Sequence, residues 1–277
     1  MAYKKNPKTD KSGIICAIPQ TGLCPNKCDD CFFQSGRSYL EPLDENLPNI
    51  PPIDLNYALL RVNDGNDSNV KRDEVMRAVR HFPNRFYNTA IPRNLEKFDG
   101  PVVLTINPAT GTDVDFFKLE EIPPNLMFVR IRVNTWNLDN VVIPAVEYYT
   151  EREVPIILTF MAYYSETIPE AHKQYYSFRK RTLNSYWVIT KRGWDRTLEE
   201  FKGNRWVHAC GKDVDVHACR FCGNCHREYF VALERMREAQ LKTIGMTQEE
   251  LNELNEMLQA GAFRSKNSPF NEKEKND

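Results

Sequence analysis

Apolar and polar positions come in short blocks along this chain, and the blocks predict its elements. Residues 13–19 (GIICAIP) form an apolar run before a turn-rich loop, which reads as a buried strand. Residues 57–62 (YALLRV), 101–106 (PVVLTI), 126–133 and 154–160 (VPIILTF) read the same way, with weaker strand signals at 85–89, 186–190 and 205–208. Helical spacing of Val75, Val79 and Phe82 predicts a helix over 70–82 that stops before Pro83. Further helices are expected at 144–153, with Pro144 suited to the first turn, at 194–202 and at 226–241. One more starts at Thr247, where Thr247 and Glu250 have capping-box spacing, and Leu251, Leu254 and Leu258 make an apolar stripe that reads as packing. The four prolines within 41–54 argue against helix or inner strand there. Alternating strands and helices imply an α/β protein with a parallel sheet, whose ligands bind at the carboxyl ends of the strands.

Composition narrows the class. The chain has 277 residues, 41% of them hydrophobic and 27% charged, and a formal net charge of -1. Such a balance draws it to neither nucleic acid nor anionic membrane as a whole. The polar start, MAYKKNPKTDKSG, lacks a signal-like apolar stretch, and no run approaches the ~18 apolar residues of a membrane span. A cytoplasmic location is therefore expected, where cysteines stay free or ligate metal.

The eight cysteines lie in two groups at opposite ends of the chain. Cys24, Cys28 and Cys31 follow the first strand with C-x3-C-x2-C spacing, and Cys16 lies within that strand. Three thiolates are an incomplete set for a four-iron four-sulfur cluster, which leaves one iron open for chemistry. A structural zinc knuckle completed by Cys16 is the bland alternative, but Cys16 reads better as a small buried hydrophobe. Cys210, Cys219, Cys222 and Cys225 make a complete four-thiolate set. Either a second 4Fe-4S cluster or zinc satisfies it, and His208, His217 and His226 stand close enough in sequence to substitute for one thiolate.

The spacing and position of the first group resemble the radical S-adenosylmethionine superfamily, over roughly residues 13–165. The resemblance implies an open, partial, TIM-like βα barrel of about six parallel strands with a cysteine-rich helical extension. It also implies that S-adenosylmethionine (SAM) binds the open iron of the first cluster. Reductive cleavage then yields a 5′-deoxyadenosyl radical that abstracts hydrogen from a peptide, RNA or small-molecule substrate. The family commonly has an aromatic residue just before the third cysteine; here that position is Asp30, and Phe32 and Phe33 follow. Phe32 is carried over as an adenine contact. The loop after the second strand, Asn63, Asp64, Gly65, Asn66, Asp67 and Ser68, stands where the family meets the cofactor's amino group. Asp67 or Ser68 also has the character of an N-cap for the helix that follows. Asn107, Thr110, Asn134 and Thr159 are matched to ribose and carboxylate contacts, and Met161 to the adenine flank. Arg130 and Arg132 share one strand face; turned inward, one of them would neutralise the cofactor carboxylate. The second cysteine group resembles the auxiliary-cluster segments of the superfamily, and a flavodoxin or ferredoxin is the implied reductant.

Arg179, Lys180, Arg181, Lys191 and Arg192, interleaved with Tyr175, Tyr176, Phe178 and Trp187, have the make-up of a nucleic-acid contact. Charge runs are usually solvated faces. The rival function is a non-enzymatic zinc or iron–sulfur module that binds nucleic acid through that patch; a simple electron carrier leaves the long strand–helix body unexplained. The expected division is an arm at 1–12, a core at 13–205, an auxiliary segment with helices at 206–262 and a disordered tail at 263–277.

Overall fold

A computed structural model describes residues 2–257, except 27, 29, 30, 32, 35, 37, 108–116, 164–167, 181–184, 246, 248, 251, 254 and 255. Two compact units result, Met1–Leu233 and Glu234–Asp277. The first holds a curled, open half-barrel of seven parallel strands. These are β1 (Ile14–Ala17), β2 (Leu59–Val62), β3 (Arg85–Thr89), β4 (Val102–Ile106), β5 (Leu126–Val133), β6 (Ile156–Phe160) and β9 (Val207–Ala209), in that spatial order.

Two expectations about the sheet need correction. It has seven strands rather than about six, because β9 pairs in parallel with β6, beyond residue 205 where the core was expected to end. The strand expected near 186–190 exists as β8 (Tyr186–Ile189), but it pairs antiparallel with β7 (Tyr176–Arg179) in a separate hairpin. An isolated apolar run specifies a strand without specifying which edge it joins.

The two faces of the sheet differ. Leu60, Val62, Leu104, Ile131 and Leu158 pack outward against α2 (Arg72–Val79) and α3 (Ile143–Thr150). On the concave face, Ile14, Leu59, Phe86, Val103, Phe128 and Ile157 form an apolar floor. Side chains alternate along a strand, so the residues two positions on share that face. They are Cys16, Arg61, Asn88, Thr105, Arg130 and Thr159. Two further on come Asn63, Asn107, Arg132 and Met161. The concave side thus rises from an apolar floor through a charged tier to an amide-rich rim.

The helices hold most expectations with shifted ends. The expectation of no helix within 41–54 needs correction: a single helical turn, α1 (Leu43–Asn46), forms there, because Pro42 precedes its first turn and Pro48 lies beyond its end. Helix α2 starts after a left-handed Lys71, so neither Asp67 nor Ser68 caps it. Pro144 sits in the first turn of α3 as expected. Helix α4 (Lys191–Glu199) begins earlier than residue 194 because Thr190 caps it by accepting from the Gly193 amide. After β9 come α5 (Cys219–Cys222) and α6 (Asn224–Thr243). Asn224 donates to the Ala209 carbonyl at 3.0 Å, Arg220 pairs with Asp10 at 3.8 Å, and Tyr229 and Ala232 pack into the apolar floor beside Ile14. The segment therefore spans from the last strand back to the first.

In the second unit, the capping box is reciprocal: the Thr247 amide donates to Glu250 Oε2 at 2.7 Å, and the Glu250 amide to Thr247 Oγ1 at 3.2 Å. Leu251, Leu254, Leu258 and the tail at 263–277 lie outside the described residues. No helix among the described residues is long and apolar enough to cross a membrane.

Leu104 lies fully buried between the sheet and its helices. Leu104→Ala should lower unfolding stability by about 2–5 kcal/mol, whereas Leu23→Ala, at an exposed position, should stay within about 0.5 kcal/mol; urea denaturation measures both.

Candidate functional site

A cavity of roughly 660 Å³ opens on the concave side of the half-barrel. Cys24, Cys28 and Cys31 line it from the loop after β1, and Cys210, Cys219, Cys222 and Cys225 line it from the segment after β9. Groups separated by most of the sequence thus share one space. Cys16 is fully buried in β1, where the Tyr3 hydroxyl donates to its carbonyl at 2.8 Å.

The first cysteine loop is tied to the loop after β2. Gln20 donates to the Asp67 carbonyl at 2.9 Å, Asn26 to the Asp67 carboxylate at 3.3 Å, and Asn66 to the Gly22 carbonyl at 3.0 Å. Burial pushes the Cys24 thiol up to about 11, with Asp67 and the two neighbouring cysteines adding to it and the Asn26 amide opposing. Burial also raises Cys28, reinforced by Cys31 and moderated by Arg132 and a hydrogen bond with Asn107. A metal entering such a set displaces protons from the sulfurs.

The second set lies beside two guanidinium groups. Arg61 Nη2 donates to the sulfurs of Cys219 and Cys225, each at 3.5 Å. Arg130 Nη1 donates to Asn88 Oδ1 at 3.0 Å, while Asn88 itself donates to the Val62 carbonyl at 3.0 Å. Burial and the nearby Arg61 lower the Arg130 pKa, and the sulfurs of Cys225, Cys210 and Cys219 oppose that shift. Cys210 donates to Cys222, which draws Cys222 down to about 6 and holds the proton on Cys210. Burial raises Cys225, and Arg61 and Arg130 offset part of the rise.

The residues expected to contact a cofactor are mostly brought together. Asn63, Asp64, Gly65, Asn66, Asp67, Asn107 and Met161 all line the cavity. Arg130 and Arg132 do so as well, which resolves their face as inward. Asn134 is not among the lining residues: its side chain accepts from the amides of Trp136 and Asn137 and shapes the turn after β5. Phe32 and Thr110 lie outside the described residues. His217 and His226 reach the cavity, whereas His208 lines a separate pocket beside Phe201 and Phe221.

The carboxylates of the β2 loop are committed to protein donors. Asp67 accepts from Thr89 Oγ1 and the Ala90 amide at 2.7 Å each, and from the Asn69 amide at 2.8 Å. Burial raises its pKa, and these donors hold it back. Asp64 accepts from Asn6 at 2.6 Å and from the Tyr39 hydroxyl at 3.4 Å. By contrast, Asn63 Oδ1 and Thr159 Oγ1 are buried without a hydrogen-bond partner among the described residues. Phe33, which sequence reasoning did not single out, packs so closely on Gly65 that a Cβ there would meet its ring at 2.1 Å. Arg61 was also passed over, although a charged residue inside the apolar run YALLRV marks it.

The basic patch is partly neutralised. Arg179 faces Asp215 at 3.9 Å, Lys191 pairs with Asp195 and Asp213, and Arg192 lies over the Tyr175 ring. Arg181 lies outside the described residues.

Among the described residues, no three His, Cys, Asp or Glu side chains close around a single ion position. Comparison with protein-family models, curated proteins and solved structures finds no match to the chain.

The contact of Phe33 with Gly65 makes a paired test. Gly65→Ala should destabilise the protein by about 1–3 kcal/mol through overpacking. Combining it with Phe33→Ala should cost less than the sum of the two single changes, as thermal or urea unfolding of the double-mutant cycle will read. Additive losses would show that the two positions do not touch.

Proposed function

We propose that the chain is a radical S-adenosylmethionine enzyme, with the SAM-cleaving cluster on Cys24, Cys28 and Cys31 and a second 4Fe-4S cluster on the other four cysteines. The observation that carries the reading is the convergence of both cysteine groups on one cavity of the half-barrel, the first group following the carboxyl end of β1 and the second packed on the apolar floor. The donor chemistry fits metal-bound thiolates: two guanidiniums lie among the second set, and burying such cations beside neutral thiols alone would be costly. The half-barrel agrees with the partial TIM-like barrel that the resemblance implies.

When bound, the first cluster supplies the electron that splits S-adenosylmethionine into methionine and a 5′-deoxyadenosyl radical. The chain's own residues hold and orient the reactants. Arg132, near Cys28, offers a guanidinium to the cofactor carboxylate. Asp64 and Asp67 already accept from protein donors, whereas Asn63 Oδ1 is buried without a hydrogen-bond partner among the described residues and is an acceptor open to the cofactor's ammonium. Phe160, Met161, Ile189 and Trp194 form an apolar wall that keeps water from a radical. The substrate is a peptide, RNA or small molecule, the reductant a flavodoxin or ferredoxin, and the compartment the cytoplasm. Zinc in the second set, with nucleic-acid binding, is the rival reading, and the ion pairs of Arg179 and Lys191 weigh against that patch as a free cationic surface.

Anaerobically purified protein should be brown and hold roughly eight irons per chain. With a reductant and S-adenosylmethionine it should form 5′-deoxyadenosine. Changing Cys24, Cys28 and Cys31 to Ala should abolish that product, and undiminished cleavage would refute the assignment. Changing Cys219 and Cys225 to Ala should spare cofactor cleavage more than substrate turnover.

A further inference from the structure

Arg61 has an unusual place. It stands in the middle of the concave face on β2, between the apolar floor and the rim, and lines the cavity. Among the described residues no carboxylate pairs with it; its guanidinium instead bridges the sulfurs of Cys219 and Cys225, both at 3.5 Å. Its Nε is buried without a partner among the described residues, and its Cζ lies 5.9 Å from the centre of the Phe86 ring. A cation in so apolar a setting requires anions close by. The nearest candidates are sulfurs that sequence spacing assigns to a metal.

We infer that Arg61 is the charge-compensating residue of the second cluster, and that it makes this cluster easier to reduce. The inference rests on the reading of the second cysteine set as iron–sulfur. Reduction adds one electron, drawn from a flavodoxin-type or chemical reductant, and so adds one unit of negative charge beside the guanidinium. A fixed cation stabilises the reduced form more than the oxidised one. Hydrogen bonds to cluster sulfurs and the net charge around them are recognised determinants of reduction potential. Arg130, tied to Asn88, adds a second positive charge without donating to a sulfur among the described residues; Arg61 is the direct donor. It acts on the cluster as a positioning and tuning residue.

The test uses full-length protein with Cys24, Cys28 and Cys31 changed to Ala, so that only the second set is loaded. Iron and zinc are counted, and the midpoint potential is measured by dithionite titration followed by electron paramagnetic resonance. Arg61→Met should lower the potential enough to shift the oxidised-to-reduced ratio at least tenfold, which is about 59 mV for one electron. Arg61→Lys, which keeps the charge, should stay closer to the parent. An unchanged potential in a loaded Arg61→Met protein overturns the inference. Loss of iron in the Met variant but not in the Lys variant supports it, and loss in both overturns it, because shape rather than charge is then at stake. Zinc, or no iron, in the second set of the parent also overturns it. Cofactor cleavage by the unaltered protein judges the first-cluster reading separately.

Discussion

The structure depends on closing an open sheet. Seven parallel strands curl into only half a barrel, which would leave the concave face and the first and last strands exposed. The segment of α5 and the start of α6 fills that gap, anchored to β9 through Asn224 and to the floor beneath β1 through Tyr229 and Ala232. Because that segment carries Cys219, Cys222 and Cys225, closing the fold and assembling the second thiol set are one event. The same packing brings these sulfurs to Arg61, a cation that the barrel floor alone could not accommodate.

The rim is organised by a different logic. Asn63 and Asn66 adopt left-handed backbone conformations, which asparagine tolerates better than most residues. Asp67 then gathers donors from the cysteine loop, its own turn and the end of β3. One buried carboxylate therefore ties the first cysteine loop to the loops after β2 and β3. The Phe33 ring against Gly65 adds a steric lock, with Ile18, Leu40, Leu43 and Leu47 packed around it. Among the described residues the Asn63 oxygen is left without a hydrogen-bond partner, at the wall of the cavity.

Much of this was legible in the amino-acid order. Short apolar runs fix strand positions, because a strand buried on both faces must be apolar over several consecutive residues. The cysteine spacings likewise define two groups, since thiols close together in the chain have to share a loop. Pro144 and the Thr247–Glu250 pair marked helix starts through local backbone chemistry alone.

Other features depend on contacts between distant residues. Whether Arg130 and Arg132 point inward follows from sheet curl, which no local pattern encodes. Asp67 looked like a helix cap because its partners Thr89 and Ala90 lie more than twenty residues away. Asn134 looked like a cavity residue because strand ends resemble one another until the following turn is built. The run at 186–190 was a sound strand in the wrong sheet, because hydrophobic alternation sets a strand's faces and leaves its neighbours open. Sequence alone determined which segments would be strands and how the thiols are grouped along the chain; the tertiary fold decided which groups meet, because burial and electrostatic pairing act through space rather than along the chain.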